Sequence, residues 1–276
     1  MQIDLDRYRI APGAEVRLAE RDPADTQGLV EDEHEPAVDA QVAANVEACD
    51  ALQERLYAEG KQALLLVLQA MDAGGKDSTI RKAFSGLNPQ GVRVWNFKAP
   101  TPTELAHDFL WRVHKRVPGG GYIGVFNRSH YEDVLIVRVH GLAPPDVIER
   151  RYDHIVAFER LLHDEGTRVV KVMLHVSKAY QLERFRNRLE KPDKHWKFNP
   201  GDLAERERWD DYMRAFEIAL ERTSTDFAPW YVVPAEERWF RDLVVTQLLR
   251  ETLEAMDPQY PPPSFDPADY PPESLR

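Results

Sequence analysis

The stretch LLLVLQAMDAGGKDSTIRKAF, residues 64–84, constrains the fold more than any other part of the chain. A wholly apolar run enters Ala-Gly-Gly-Lys and leaves as a helical pattern. An apolar run without alternation reads as a strand covered on both faces, and a helix following it at once makes a βα unit. The runs ALLLVLQA (from Ala63), VRVWNFKA (from Val92), YIGVFNR (from Tyr122), RVVKVMLHVS (from Arg168) and WYVVPA (from Trp230) repeat the theme. Helical patterns separate them, over 38–59, 76–86, 102–116, 144–165, 178–190, 203–223 and 236–256. Strands alternating with helices imply right-handed crossovers, so the expected fold is a doubly wound α/β domain: a five-stranded parallel sheet with helices on both faces. Asp202 and Glu205 have the spacing of a capping pair for the sixth helix. No repeat or linker interrupts residues 1–276, which read as a single domain ending in a proline-rich tail, about 257–276, expected to lie extended or disordered.

Composition excludes several classes. With one cysteine, Cys49, no intrachain disulfide or cysteine zinc cluster can form. A formal net charge of −11 disfavours an extended nucleic-acid face. No apolar run approaches the roughly 20 residues a membrane span needs, and the N-terminus lacks the basic-then-apolar order of a secretory signal. A cytoplasmic protein without nucleic-acid or membrane partners is therefore expected, with self-association as a homo-oligomer.

The loop nearly spells G-x-x-x-x-G-K-[ST], the phosphate-binding pattern. Ala70 replaces its first glycine, and Asp77 follows the lysine where a hydroxyl is usual, with Ser78 and Thr79 next. Ala73, Gly74 and Gly75 would bring backbone N–H groups to phosphate oxygens, the helix would point its positive end at the anion, and Lys76 adds a point charge. Asp72, a carboxylate inside such a cradle, would repel the ligand unless a divalent cation stood between them, so it is expected to hold Mg²⁺, with Mn²⁺ as the alternative. A turn aspartate bonding its own backbone is the rival reading.

The third run ends in Asn127 and Arg128, with Glu132 and Asp133 a turn later. Arg128, at the carboxyl end of a strand beside the loop, is placed to grip a phosphoryl group. A basic segment, QLERFRNRLEKPDKHWKFNPGD, follows the fourth run. Gln181, Arg184 and Arg188 share a helix face, and Lys191, Lys194 and Lys197 continue the charge at three-residue intervals. Most of these cations lack an acid four residues away, so the segment, about 184–210, reads as a mobile phosphate-gripping lid, with Trp196 and Phe198 packed beneath it. No H-E-x-x-H pair or nucleophile elbow occurs, and of the nine histidines only His130, beside the strand end, is retained as a candidate.

MDAGGKDSTI, GYIGVFNRSHYEDVL and ERFRNRLEKPDKHWKFNPGD, in that order, resemble the polyphosphate kinase 2 family, roughly over residues 8–256. The resemblance implies a P-loop kinase-like sheet with a helical lid and Mg²⁺-dependent, reversible phosphoryl transfer between inorganic polyphosphate and AMP, ADP or ATP. It carries catalytic roles onto Asp72, Lys76, Arg128, Arg184 and Arg188. Ala73, Gly74, Gly75, Lys76, Asp77, Ser78, Asn127, Glu132, Lys191, Lys194 and Lys197 would bind nucleotide or phosphate. Many members carry aspartate at the place of Asn127, so a two-carboxylate metal site is not implied here. The FNRS-x-YED spelling is similar to the subgroup acting on both AMP and ADP, with Glu132 bearing on acceptor choice. An ATP-dependent nucleoside monophosphate kinase and a non-catalytic nucleotide or polyphosphate sensor are the alternatives.

Overall fold

A computed structural model describes residues 2–272. In chain order its strands are β1 (Arg9–Ile10), β2 (Ala63–Ala70), β3 (Val92–Asn96), β4 (Ile123–Asn127), β5 (Thr167–His175) and β6 (Trp230–Pro234). Its helices are α1 (Glu31–Glu59), α2 (Lys76–Ala83), α3 (Pro102–Leu105), α4 (Trp111–His114), α5 (Ile136–Val139), α6 (Pro145–Asp164), α7 (Lys178–Glu190), α8 (Gly201–Glu207), α9 (Trp209–Thr223) and α10 (Arg238–Met256). The sheet runs β1-β6-β5-β2-β4-β3. The five expected strands pair in parallel, and a sixth joins them: β1 runs antiparallel on β6, with Ile10 opposite Trp230. Two residues are too short to leave a period-2 signature, which is why the sequence did not announce it.

All eight residues of β2 are buried, as the unbroken apolar run requires. Each of its leucines contributes about 1.5–3 kcal/mol by leaving water. The chain winds to one side of β2 through β3 and β4, then crosses to the other through β5 and β6. The crevice at the carboxyl ends of β2 and β4 is therefore a topological switch point, where ligands bind in open α/β sheets.

Several helix boundaries differ from expectation: α1 begins at Glu31 rather than at 38, and α2 ends at Ala83 rather than at 86. The pattern at 102–116 splits into α3 and α4, α3 being started by a capping box of Thr101 and Glu104. The pattern at 203–223 breaks at Arg208, because α8 buries none of its residues while α9 buries seven against the core. Asp202 and Glu205 do not cap it: α8 starts at Gly201 without a side-chain cap, and tertiary partners claim both acids. Arg188 takes Asp202, while His140 (2.8 Å) and Tyr212 (2.5 Å) take Glu205. Residues 257–272 are mostly exposed and irregular apart from one short turn at Pro267–Asp269, as a proline-rich segment requires; the last residues of the expected tail, 273–276, lie outside the described residues.

One buried polar cluster stiffens the region beyond β4. Lys171, in the middle of apolar β5, donates to Glu159 Oε2 (2.5 Å), the Thr223 carbonyl (2.7 Å) and the Tyr131 hydroxyl (3.0 Å). Burial pushes the Lys171 ammonium down. The carboxyl of Glu159, which burial alone would raise, is held low by that ammonium. His130 belongs here: it is 1% exposed, with Nε2 3.2 Å from Glu159 Oε1, so this candidate is a packing residue outside the crevice. The cluster anchors Tyr131, and with it the turn carrying Arg128 and Glu132.

Candidate active site

The loop starts where β2 ends. Ala73 (φ 61°) and Gly75 (φ 95°) take left-handed conformations, which costs the alanine about 1–2 kcal/mol and the glycine almost nothing. Gly74 is required for space. A Cβ there would lie 2.8 Å from Ala70 Cβ and 2.9 Å from the Met71 carbonyl. The methyl of Ala70 thus fills the volume a side chain at 74 would need, a physical reason why the first glycine of the usual spelling can be alanine here.

Lys76, the first residue of α2, folds back beneath the loop and donates to the carbonyls of Ala70 (2.7 Å) and Met71 (3.3 Å). Burial, helped by the Arg128 charge, pushes its ammonium down to about 8. The hydroxyls of Ser78 and Thr79 both turn back to the Gly75 carbonyl (2.8 and 3.1 Å). The two departures at 77 and 127 are partners: Asn127 Nδ2 donates to Asp77 Oδ1 at 2.7 Å. Asp72 Oδ1 accepts from Arg128 Nη2 at 2.6 Å, a short charge-assisted bond, and Arg128 sits at the strand end with φ 60°. The Asp72 carboxylate therefore meets an arginine, not its own turn.

α7 docks on this loop. Gln181 is buried and donates to the Asp72 carbonyl (2.9 Å), and Arg184 and Arg188 follow on the same face, as their spacing predicts. Arg188 Nη1 is held by the Lys197 carbonyl (3.0 Å) and Asp202 (3.4 Å). One cavity of about 500 Å³ gathers Asp72 through Ser78, Asn127, Arg128, Arg184, Arg188, Lys194 and Lys197. Lys191 is not brought in: it is exposed at the end of α7, outside the lining. Trp196 is 78% exposed rather than packed under the segment, and only Phe198 packs, edge-on to Phe185.

Glu132 lies one layer back. It lines an adjoining cavity of about 240 Å³ together with Asp72, Arg128, Tyr212 and Phe216. Burial pushes its carboxyl up against the pull of Arg128 and Lys76. The Gln69 amide, oriented to satisfy its neighbours, donates to Glu132 Oε1 at 3.0 Å and accepts from Ser129.

Residues without a signal in the local sequence pattern also line the main cavity, among them Arg81, Lys98, Arg238 and Arg241. The last two stand in the first turns of α10, where the helix dipole disfavours cations; that misplacement is the signal that could have found them. In total the cavity presents ten lysines and arginines against three carboxylates, Asp72, Asp77 and Asp202, in a chain of net charge −11. Such segregation suits a multiply charged anion.

Among the described residues no group of three or more His, Cys, Asp or Glu could hold a metal by itself. Hard oxygen donors in the lining include the carboxylates of Asp72 and Asp77 and the amide of Asn127 at the loop, and the carboxylate of Asp202 from α8. That partial set fits Mg²⁺, which is commonly held by one or two carboxylates, water and substrate phosphate oxygens. Among the described residues no helix is long and apolar enough to cross a membrane.

Known proteins are similar to this chain in sequence and fold. The family model described as "Polyphosphate kinase 2 (PPK2)" matches residues 32–261. An AMP/ADP-polyphosphate phosphotransferase of Meiothermus ruber is 51% identical over 259 residues, covering 94% of this chain and 96% of its own. An ADP-polyphosphate phosphotransferase of Rhodopseudomonas palustris is 44% identical over 278 residues, covering 95% and 93%. The crystal structure of polyphosphate kinase 2 from Arthrobacter aurescens TC1 superposes with a TM-score of 0.91 at 46% identity, over 96% of this chain and 93% of that one. A chain matched over nearly its whole length, with the loop, the strand end and the basic helix all facing one cavity, belongs to the polyphosphate kinase 2 family.

Proposed function

We propose that this protein is a polyphosphate-dependent nucleotide kinase that transfers the terminal phosphoryl group of inorganic polyphosphate to AMP or ADP, reversibly and with Mg²⁺. The observation that carries the reading is the ten-to-three excess of cations in a cavity floored by the Gly-Gly-Lys loop. Names of similar proteins, all polyphosphate phosphotransferases, support the substrate pair.

An oxygen of the acceptor's phosphate attacks the terminal phosphorus of the donor. The bond to the bridging oxygen breaks, and the donor leaves one unit shorter. The attacking oxygen is already ionised near neutral pH, since a phosphate monoester's second pKa is about 6. No general base is needed, and His130, buried in the core cluster, is not placed to act as one. The protein's task is then placement and neutralisation of charge on the equatorial oxygens.

Lys76 and the backbone of Ala73 to Gly75 seat one phosphate, while Arg184 and Arg188 hold the other partner from α7. Arg128 is paired with Asp72 (2.6 Å), and a phosphoryl group entering the cavity would compete for it. Asp72, with Asp77 and Asn127 beside it, would hold Mg²⁺. When bound, the ion offsets phosphate charge and lowers repulsion between donor and acceptor. We further propose that residues 1–276 act as one domain, with about 184–210 as the lid.

The test is to mix purified protein with AMP, Mg²⁺ and polyphosphate and to separate the nucleotides. Formation of ADP and then ATP is expected. Turnover with ATP as donor but none with polyphosphate would instead make it an ATP-dependent monophosphate kinase.

A further inference from the structure

α10 brings one more guanidinium to the loop. Arg241 is 2% exposed, and its Nε and Nη2 both donate to Asp242 Oδ1, at 2.9 and 2.6 Å, which fixes the plane of the group. Its Nη1 has no acceptor among the described residues. The side chain lines the main cavity, and a Cβ placed on Gly75 would lie 2.6 Å from Nη1. Gly75 is thus glycine twice over, for its left-handed backbone and for the room this arginine takes. An unspent donor that opens into the cavity lies beside the residue from which α2 starts. Positive charge facing the positive end of a helix is unfavourable unless an anion sits between them.

We infer that Arg241 is a phosphate-binding residue whose Nη1 completes the cradle around a phosphate seated at Gly74 to Lys76, with Asp242 as its positioning residue. The inference rests on the phosphoryl-transfer reading and adds a wall to that site. A neighbouring cavity of about 640 Å³ shares Arg81, Arg184, Arg238 and Arg241, but its far side carries Glu31, Glu35 and Asp39. A polyanion is turned back there, so the anion that Arg241 serves is one resting on the loop.

That phosphate can belong to polyphosphate or to the nucleotide, and calorimetric titrations with tripolyphosphate alone and with ADP alone separate the two. Arg241→Gln is expected to weaken one of these ligands at least tenfold and the other less than twofold, with the melting temperature within a few degrees of the parent. Arg241→Lys, which keeps the charge and loses the fork, should fall between. Asp242→Asn should weaken the same ligand and leave the other alone, a selectivity that a merely structural role would not give. Both affinities within twofold of the parent in folded Arg241→Gln overturn the inference.

If that variant does not fold, the unmodified protein still decides. The ligand should protect Arg241 from phenylglyoxal, read by peptide mass, and equal modification with and without both ligands overturns it. Parent protein that transfers phosphate while Arg241→Gln binds both ligands normally sinks this inference alone. Parent protein that transfers none sinks the proposed function and leaves the binding result to stand by itself.

Discussion

The loop at residues 72–76 and the segment that faces it are both cationic walls of one cavity, yet they are built in opposite ways. The loop is fixed by contacts that admit almost no substitution. Gly74 has no room for a Cβ, Lys76 is bonded twice to the backbone beneath it, and Gln181 clamps the Asp72 carbonyl. The facing wall beyond α7 is a short 3-10 helix, Pro192–Lys197, that buries none of its residues: Lys191 and Trp196 are exposed, and Arg188 is the member tied down, by Lys197 and Asp202. A rigid floor holds reacting atoms within a fraction of an ångström, where catalysis needs it. Flexible cations opposite it can follow a polymer whose length varies. Changes in the floor should therefore strike turnover, and changes in the facing wall should strike affinity.

The largest effect is expected from Lys76→Met, a loss of kcat/KM of about 10³-fold, on the scale of removing a preorganised charge that stabilises a transition state. A lysine whose folded value is about 8 against an ordinary 10.5 carries a cost of folding in full below pH 8, and the parent's stability should rise with pH between those values because the unfolded state there holds one more proton. Thermal scans of the parent from pH 7 to 10.5, beside steady-state kinetics of the variant, check both halves.

Next, the parent protein's affinity for whichever of tripolyphosphate and ADP seats a phosphate on the loop should fall as pH rises past about 8, by roughly tenfold per unit at first, as Lys76 loses its charge. Lys76→Arg should remove that fall, and a flat profile in the parent would contradict the placement. Arg188→Ala should raise KM for polyphosphate about tenfold with kcat changed little. Lys194→Ala and Lys197→Ala should each raise it a few-fold, and salt near 1 M should erase those smaller effects, since exposed charges are screened beyond about 3 Å there. Equal loss of kcat in the facing-wall variants would break the contrast. The smallest effect is expected from Trp196→Ala, within about 0.5 kcal/mol in stability, because the ring is 78% exposed.

Much of this architecture is legible in the amino-acid sequence alone. An apolar run, two glycines and a lysine ahead of a helical pattern give the strand, loop and helix from local physics, and Gln181, Arg184 and Arg188 fall on one face because helical spacing puts them there. Arg241 is legible only as a cation misplaced in the first turns of a helix. It sits in ERWFRDL, where a charge run reads as solvated surface, and only the packing of α10 beside α2 carries it to Gly75. Asp202 and Glu205 mislead for the opposite reason: their spacing is a genuine local signal, but Arg188, His140 and Tyr212 outcompete the backbone N–H groups for them. Lys171 hides in an apolar strand because its partners come from α6, α9 and the turn after β4. What the sequence withholds is consistently the partner that arrives from a distant element.

The contrast between rigid floor and adaptable wall is tested most directly by a crystal structure of the protein with tripolyphosphate and ADP. The account predicts phosphorus atoms between the two walls, with phosphate oxygens within about 3 Å of the backbone N–H groups of Gly74 to Lys76 on one side and of Arg184 and Arg188 on the other. Phosphates bound instead at exposed lysines such as Lys191, with Asp72 still paired to Arg128 and nothing seated on the loop, would contradict it.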